Sequence, residues 1–212
     1  IGTTTEVKGN IEIVDSSADV NIGNLQNLDV TLNDADLIAK GGTTVSGTAK
    51  VNGKGNATYE NVNNLLVDGL YGNLGVNGTV NTADIKNVSG SATVNNATAK
   101  IEATNVAGGL NIGNVKDVQV NNTNVNVLDG NTVNGKIESA SGMTLSNSGT
   151  ATIGNSGQIV VNGDLNVASE FKFAQTTIDG AVIKANNLSG SGATKTVDNF
   201  FDAKFGFSGD DS

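Results

Sequence analysis

The sequence predicts an all-β chain wound as a parallel β-solenoid of about ten rungs, closed by an aromatic C-terminal cap. Three observations carry that expectation. Short segments alternate polar and apolar residues with a period of two, the signature of a strand with one buried face. The apolar residues are almost all Val, Ile, Leu and Ala, with only 4% aromatic, which suits shallow stacked layers better than a bulky sandwich core. Short phrases recur along the chain, as repeat architectures require.

Taken in order, Glu6-Val7-Lys8 and Ile11-Glu12-Ile13 open with strand-like alternation. The phrase Asn21-Ile22-Gly23-Asn24 returns at Asn111-Ile112-Gly113-Asn114, with a relative at Ile153-Gly154-Asn155. Each precedes a strand-like run, Leu28-Asp29-Val30, Val118-Gln119-Val120 and Ile159-Val160-Val161. A second phrase, Val45-Ser46-Gly47, returns 43 residues later as Val88-Ser89-Gly90. If that interval holds two turns, one rung is about 20 residues and the body is about 45–50 Å long. Val-Asn-Gly at 51, 76, 133 and 161, and Asp-Gly at 68, 129 and 179, mark corners, because Asn and Gly tolerate positive φ. The same pairs close tight hairpins. An antiparallel β-sandwich or jelly roll is therefore the alternative fold. Asn makes up about 15% of the chain and can form hydrogen-bonded ladders between rungs.

Residues 1–190 read as the repetitive body and 191–212 as a Phe-rich acidic tail or cap. All six phenylalanines lie from Phe171 onward. Val197–Phe205 is the best helix candidate, with Asp198 as its cap, and such a segment would cover the exposed strand edges of a solenoid end. The chain begins Ile1-Gly2-Thr3, which reads as a processed chain or part of a longer one.

Composition narrows the chemistry. There is no arginine, histidine, cysteine or tryptophan, and all twelve basic residues are lysine. Thiolate and imidazole metal sites lose their ligands, and a Ser triad lacks its base. The formal charge of −9 repels nucleic acid. No stretch reaches the roughly 20 apolar residues of a membrane helix, so membrane insertion is not expected.

The remaining metal chemistry is oxygen ligation of a hard cation such as Ca²⁺. Asp15, Asp19, Asp34 and Asp36 form the densest carboxylate cluster and are the candidate calcium ligands; Asp210 and Asp211 form a second group. Asp34 and Asp36 share a face if strand-like, and Asp15 and Asp19 flank a Ser-Ser turn. Either pair could in principle do acid–base work on a polysaccharide, but solvated turn carboxylates explain them better, and an enzyme is not expected. Tyr59 and Tyr71, the only aromatics of the body before Phe171, are the residues to watch for glycan contact. Asn-x-Ser/Thr sites at Asn56, Asn77, Asn87, Asn96, Asn121 and Asn187 permit glycosylation.

The Val-Asn-Gly, Asn-Ile-Gly-Asn and Val-Ser-Gly phrases, on a background without cysteine or arginine, resemble those of secreted bacterial surface proteins of the S-layer and β-solenoid adhesin type. The resemblance spans roughly residues 5–190 and is compositional. It implies an extracellular, cell-surface location, partners that are further copies or other surface proteins, and a Ca²⁺ requirement in many members. The expected function is a structural part of a surface layer, matrix or filament, with an adhesin for a glycan or host surface as the alternative.

Overall fold

A computed structural model describes residues 10–14, 17–20, 25–39, 44–173, 182–192 and 204–207. Among them the chain is nearly all β, and every strand pairing is parallel. The chain is a β-solenoid, and the antiparallel alternative falls away. One long ladder runs through β1 (Asn10–Val14), β3 (Leu28–Asn33), β5 (Thr44–Lys54), β7 (Asn61–Tyr71), β8 (Leu74–Val88), β9 (Ala92–Val106), β10 (Leu110–Asn121), β13 (Lys136–Ser139), β16 (Gln158–Val161), β19 (Val182–Ala185) and β21 (Lys204–Phe207). A second ladder links β2 (Ser17–Val20), β4 (Asp36–Ala39) and β6 (Ala57–Tyr59) to the first residues of β8, β9 and β10, then to β11 (Val125–Val127), β14 (Met143–Asn147), β17 (Asp164–Val167) and β20 (Asn187–Ser189). A third, short ladder joins β12 (Thr132–Val133), β15 (Ala151–Ile153) and β18 (Phe171–Phe173).

Alternation in the sequence sets which residues face inward. Leu28, Val30 and Leu32 of β3 are buried, while Thr31 and Asn33 are exposed. Register then stacks inward residues into columns. One reads Leu28, Ala49, Leu65, Ala83, Ile101, Val118, Ile137, Ile159, Ile183. Across the coil another reads Leu37, Ala57, Leu74, Ala92, Leu110, Val125, Leu145. Both columns alternate large and small through the middle turns, and in phase. The volume is restored from other columns. The turn with Ala49 and Ala57 carries Tyr59, the turn with Ala83 and Ala92 carries Ile85, and the turn with Ile101 and Leu110 carries the small Ala103. Each buried Leu, Ile or Val stabilises by about 1.5–3 kcal/mol, and close packing demands this compensation within each layer.

Two sequence expectations need correction. The Val-Ser-Gly phrases are not stacked repeats. Val45 lies over Val62, and Val62 over Val80, whereas Val88 lies between Leu70 and Val106 at a different corner. The rung length of about 20 residues nevertheless falls within the observed steps, which range from 15 residues at Leu110–Val125 to 24 at Gln158–Val182. The expected helix over Val197–Phe205 fails at its end. Lys204 and Phe205 are in β21, with Phe205 paired to Ile183, so this part of the presumed cap extends the long ladder; residues 197–203 lie outside the described residues. Phe171, within the body as the bounds 1–190 expect, is buried in β18 against Ala151.

Candidate interaction surface

The corners set the surface. At one of them Gly55, Gly72, Gly90 and Gly108 succeed each other on consecutive turns. A Cβ on Gly72 would collide with the Gly55 carbonyl, and one on Gly108 would come within 2.8 Å of the Gly90 carbonyl carbon and the Ser91 nitrogen. The N–H of Gly90 donates to the Gly72 carbonyl at 3.0 Å, and that of Gly108 to the Gly90 carbonyl at 2.9 Å. Backbone packs directly on backbone here, which only glycine permits.

Beside that column Asp36, Asn56, Asn73 and Ser91 form an amide ladder. The Asp36 carboxylate accepts both the backbone N–H (2.7 Å) and the side-chain amide (3.0 Å) of Asn56. Asn56 does the same for Asn73 at 2.8 and 3.2 Å, and Asn73 for the N–H of Ser91 at 2.9 Å. A second ladder runs from Asp68 through Asn87, Asn105 and Asn122, with amide-to-oxygen distances of 2.8, 3.1 and 3.0 Å. The three asparagines have φ of 55°, 56° and 47°, the left-handed region that Asn tolerates best after Gly. Thus the same residue turns the corner and bonds to its copy one turn away.

The outward face of the long ladder is charged and internally paired. Lys86 bonds Asp84 at 2.6 Å, Lys136 bonds Glu138 at 2.7 Å, and Lys100 pairs with Glu102, each two residues apart on one strand. The Lys136 ammonium holds the Glu138 carboxyl below the usual carboxylate range, and the Asp84 carboxylate raises the Lys86 ammonium. Within this face a trough of about 310 Å³ is lined by Glu102, Gln119 and Glu138 on one side and by Thr104, Asn121, Ala140 and Asn162 on the other.

The candidate calcium ligands do not converge. Asp15 lies outside the described residues. Asp19 sits in β2 opposite Ile38, while Ser17 lies opposite Asp36. Asp34 has φ 51° and its carboxylate pairs with Lys54, whose ammonium is raised in turn. Asp36 heads the first amide ladder. Asp34 and Asp36 therefore share a corner, and each is bound to the next turn. Among the described residues no group of three or more carboxylates is placed to hold a metal ion, and no helix is long and apolar enough to cross a membrane.

Tyr59 is in the core, not on the surface. It is 1% exposed, its hydroxyl has no hydrogen-bond partner among the described residues, and burial pushes its pKa far up. The pattern Ala57-Thr58-Tyr59, buried–half-buried–buried, carries the signal that places it inward. Tyr71 is 70% exposed and stacks in register on Lys54. The trough was not legible from sequence, because its lining comes from four successive turns. No family model matches the chain, and neither a curated protein nor a solved structure shows significant similarity to it.

Proposed function

We propose that this chain is a structural element of an extracellular assembly, a surface layer, matrix or filament built by β-sheet packing, and not an enzyme. The observation that supports this reading best is the commitment of surface side chains to self-pairing, axially in the amide ladders and along single strands in the lysine–carboxylate pairs. Two amide ladders and three lysine–carboxylate pairs engage the polar groups of the corners and of the long sheet with their own neighbours. Such a surface stiffens a rod whose turns contact only their neighbours. The compositional likeness to secreted surface proteins supports a location outside the cell, with further copies or other surface proteins as partners. Calcium enters only as a condition to vary in assembly, because Asp19, Asp34 and Asp36 do not come together as one ligand set. Electron microscopy of concentrated protein, with and without Ca²⁺, should show ordered sheets or fibres; dispersed monomers under both conditions overturn the reading.

A second reading, an adhesin for a glycan, is favoured by the exposed Tyr71 ring beside the Lys54–Asp34 pair, because an aromatic face flanked by polar groups suits a sugar ring. Tyr71→Ala should abolish binding on a glycan array; unchanged binding removes this tyrosine from the proposal.

A further inference from the structure

We infer that the trough on the long sheet, between the columns of Glu102 and Thr104, binds an extended, uncharged, polyhydroxylated chain: a neutral oligosaccharide lying along the coil axis. The inference rests on the second reading, a glycan-binding surface, and moves the site away from Tyr71. The trough begins two turns along the ladder from β7 and ends at β16.

Its geometry follows from register. Gln119 lies between Glu102 and Glu138 in one column, and Asn121 lies beside Thr104 in the next. Ala140 and Asn162 continue that second column, where the N–H of Ala140 donates to the Val120 carbonyl and that of Asn162 to the Ser139 carbonyl. Ala103 and Val120 point into the core, so the floor between the columns is backbone. Ala140 leaves a gap between Asn121 and Asn162. Four turns at the ordinary strand spacing give a length of about 14 Å.

Three features select the ligand. First, hydrogen-bonding capacity is open here while the adjoining corner has closed its own. Thr104, Asn121 and Asn162 make no side-chain hydrogen bond to another described residue, whereas Asn87, Asn105 and Asn122 bond to one another. Second, the trough carries a small net negative charge, three carboxylates (Glu102, Asp117 and Glu138) against two lysines (Lys100 and Lys136). Glu102 and Glu138 are each paired with a lysine, and Asp117 lies in register between Lys100 and Lys136. A phosphate-rich or polyanionic chain meets these carboxylates and the overall charge of −9, so the balance favours an uncharged ligand. Third, backbone N–H and C=O groups of the floor are held in the parallel ladder, so a peptide cannot add here as a strand. Only side chains are offered; on the first wall Gln119 already donates to Glu138 at 3.4 Å, so the open groups are Thr104, Asn121 and Asn162 of the second, and a ligand with repeating hydroxyls matches their placement along the axis. No aromatic lines the trough, so affinity comes from hydrogen bonds and shape.

The full chain should be titrated, by calorimetry and by NMR shift mapping, with cellohexaose, maltohexaose and hexa-N-acetylchitohexaose, with hexagalacturonate as the anionic comparison. At least one neutral hexamer is expected to bind. Asn121→Ala and Asn162→Ala should each weaken it about tenfold, Ala140→Trp should abolish it by filling the gap, and Asn187→Ala, outside the trough, should leave it unchanged. The thermal transition of each variant establishes that it folds, and the exposed Asn162→Ala keeps the test open if Ala140→Trp does not. Binding lost in Tyr71→Ala but kept in the trough variants overturns this inference and leaves the second reading standing. Binding by no hexamer overturns both, and preference for hexagalacturonate overturns the assignment of an uncharged ligand.

Discussion

The turns between Thr44 and Asn121 and those from Val125 to Ser189 solve the same winding problem in different ways. In the first region the coil advances 17 residues from Lys100 to Asp117, and β8 and β9 each run 15 residues, round a corner without leaving the sheet. In the second the step reaches 24 residues, the long strands break into pieces of three to five residues, and a third short ladder appears between them. Where the first region turns within a strand, with a register irregularity such as that between Val76 and Thr79, the second places residues 128–135, including β12, between β11 and β13. The difference is one of space. Both regions pack glycine on backbone, as at Gly72 over Gly55 and Gly163 over Gly142, but the wide turns also insert extra chain at the corner.

The largest expected effect separates glycines packed on backbone from open ones, which occur in both regions. Gly72→Val forces a side chain into the Gly55 carbonyl and should destabilise by about 3 kcal/mol or more. Gly130, in the wide region, has φ 73°, and a methyl group there would meet nothing within 4 Å, so Gly130→Ala should cost only about 1 kcal/mol of backbone strain. Urea unfolding followed by circular dichroism measures both; equal losses would erase the distinction.

Next in size are the amide ladders. Asn105 accepts from Asn122 and donates to Asn87 at φ 56°, so Asn105→Ala should cost about 2 kcal/mol, and Asn105→Gly, which keeps the turn, about half of that. The exposed amide of Asn187 donates to Asp164 at 2.7 Å, and Asn187→Ala should cost a few tenths of a kcal/mol by the same measurement. Tyr59→Phe removes a buried hydroxyl that has no partner among the described residues and should stabilise the tight region by about 1 kcal/mol; a loss of stability would show that the hydroxyl is satisfied.

The smallest effect is electrostatic. The folded-state pKa of Glu138 is lowered, chiefly by its hydrogen bond from Lys136. Its contribution is therefore present above the ordinary carboxylate pKa and is lost as pH falls through the lowered folded value. Acid melts of the parent chain and of Glu138→Gln should converge at low pH and differ slightly near neutrality, since the pair is solvent-screened.

Much of the fold was legible because it depends on local pattern. Alternation in Leu28–Asn33 and the small aliphatic residues specify a shallow two-faced layer, and Asn and Gly specify corners. What stacks on what was not legible. Register depends on the number of residues at every corner, and corners with the same steric demand use the same words, so Val45-Ser46-Gly47 and Val88-Ser89-Gly90 match in letters and sit apart in space. The trough was hidden for that reason, since Glu102, Gln119 and Glu138 become neighbours only through register. Tyr59 misled because an aromatic in a polar-rich segment suggests a binding platform, while its alternation with Ala57 places it inward. The helix expected near Phe205 failed in its described part because that residue continues the column of Ile183.

The in-register parallel ladder also gives the molecule a mechanical direction. Its interstrand hydrogen bonds point along the coil axis, so a pull between the two ends meets the turns in series, and the rod should unwind one loop at a time at modest force. A load applied across the coil meets many turns side by side and must shear them together. Anchored sideways, such a body resists; anchored end to end, it yields gradually and absorbs work as it lengthens.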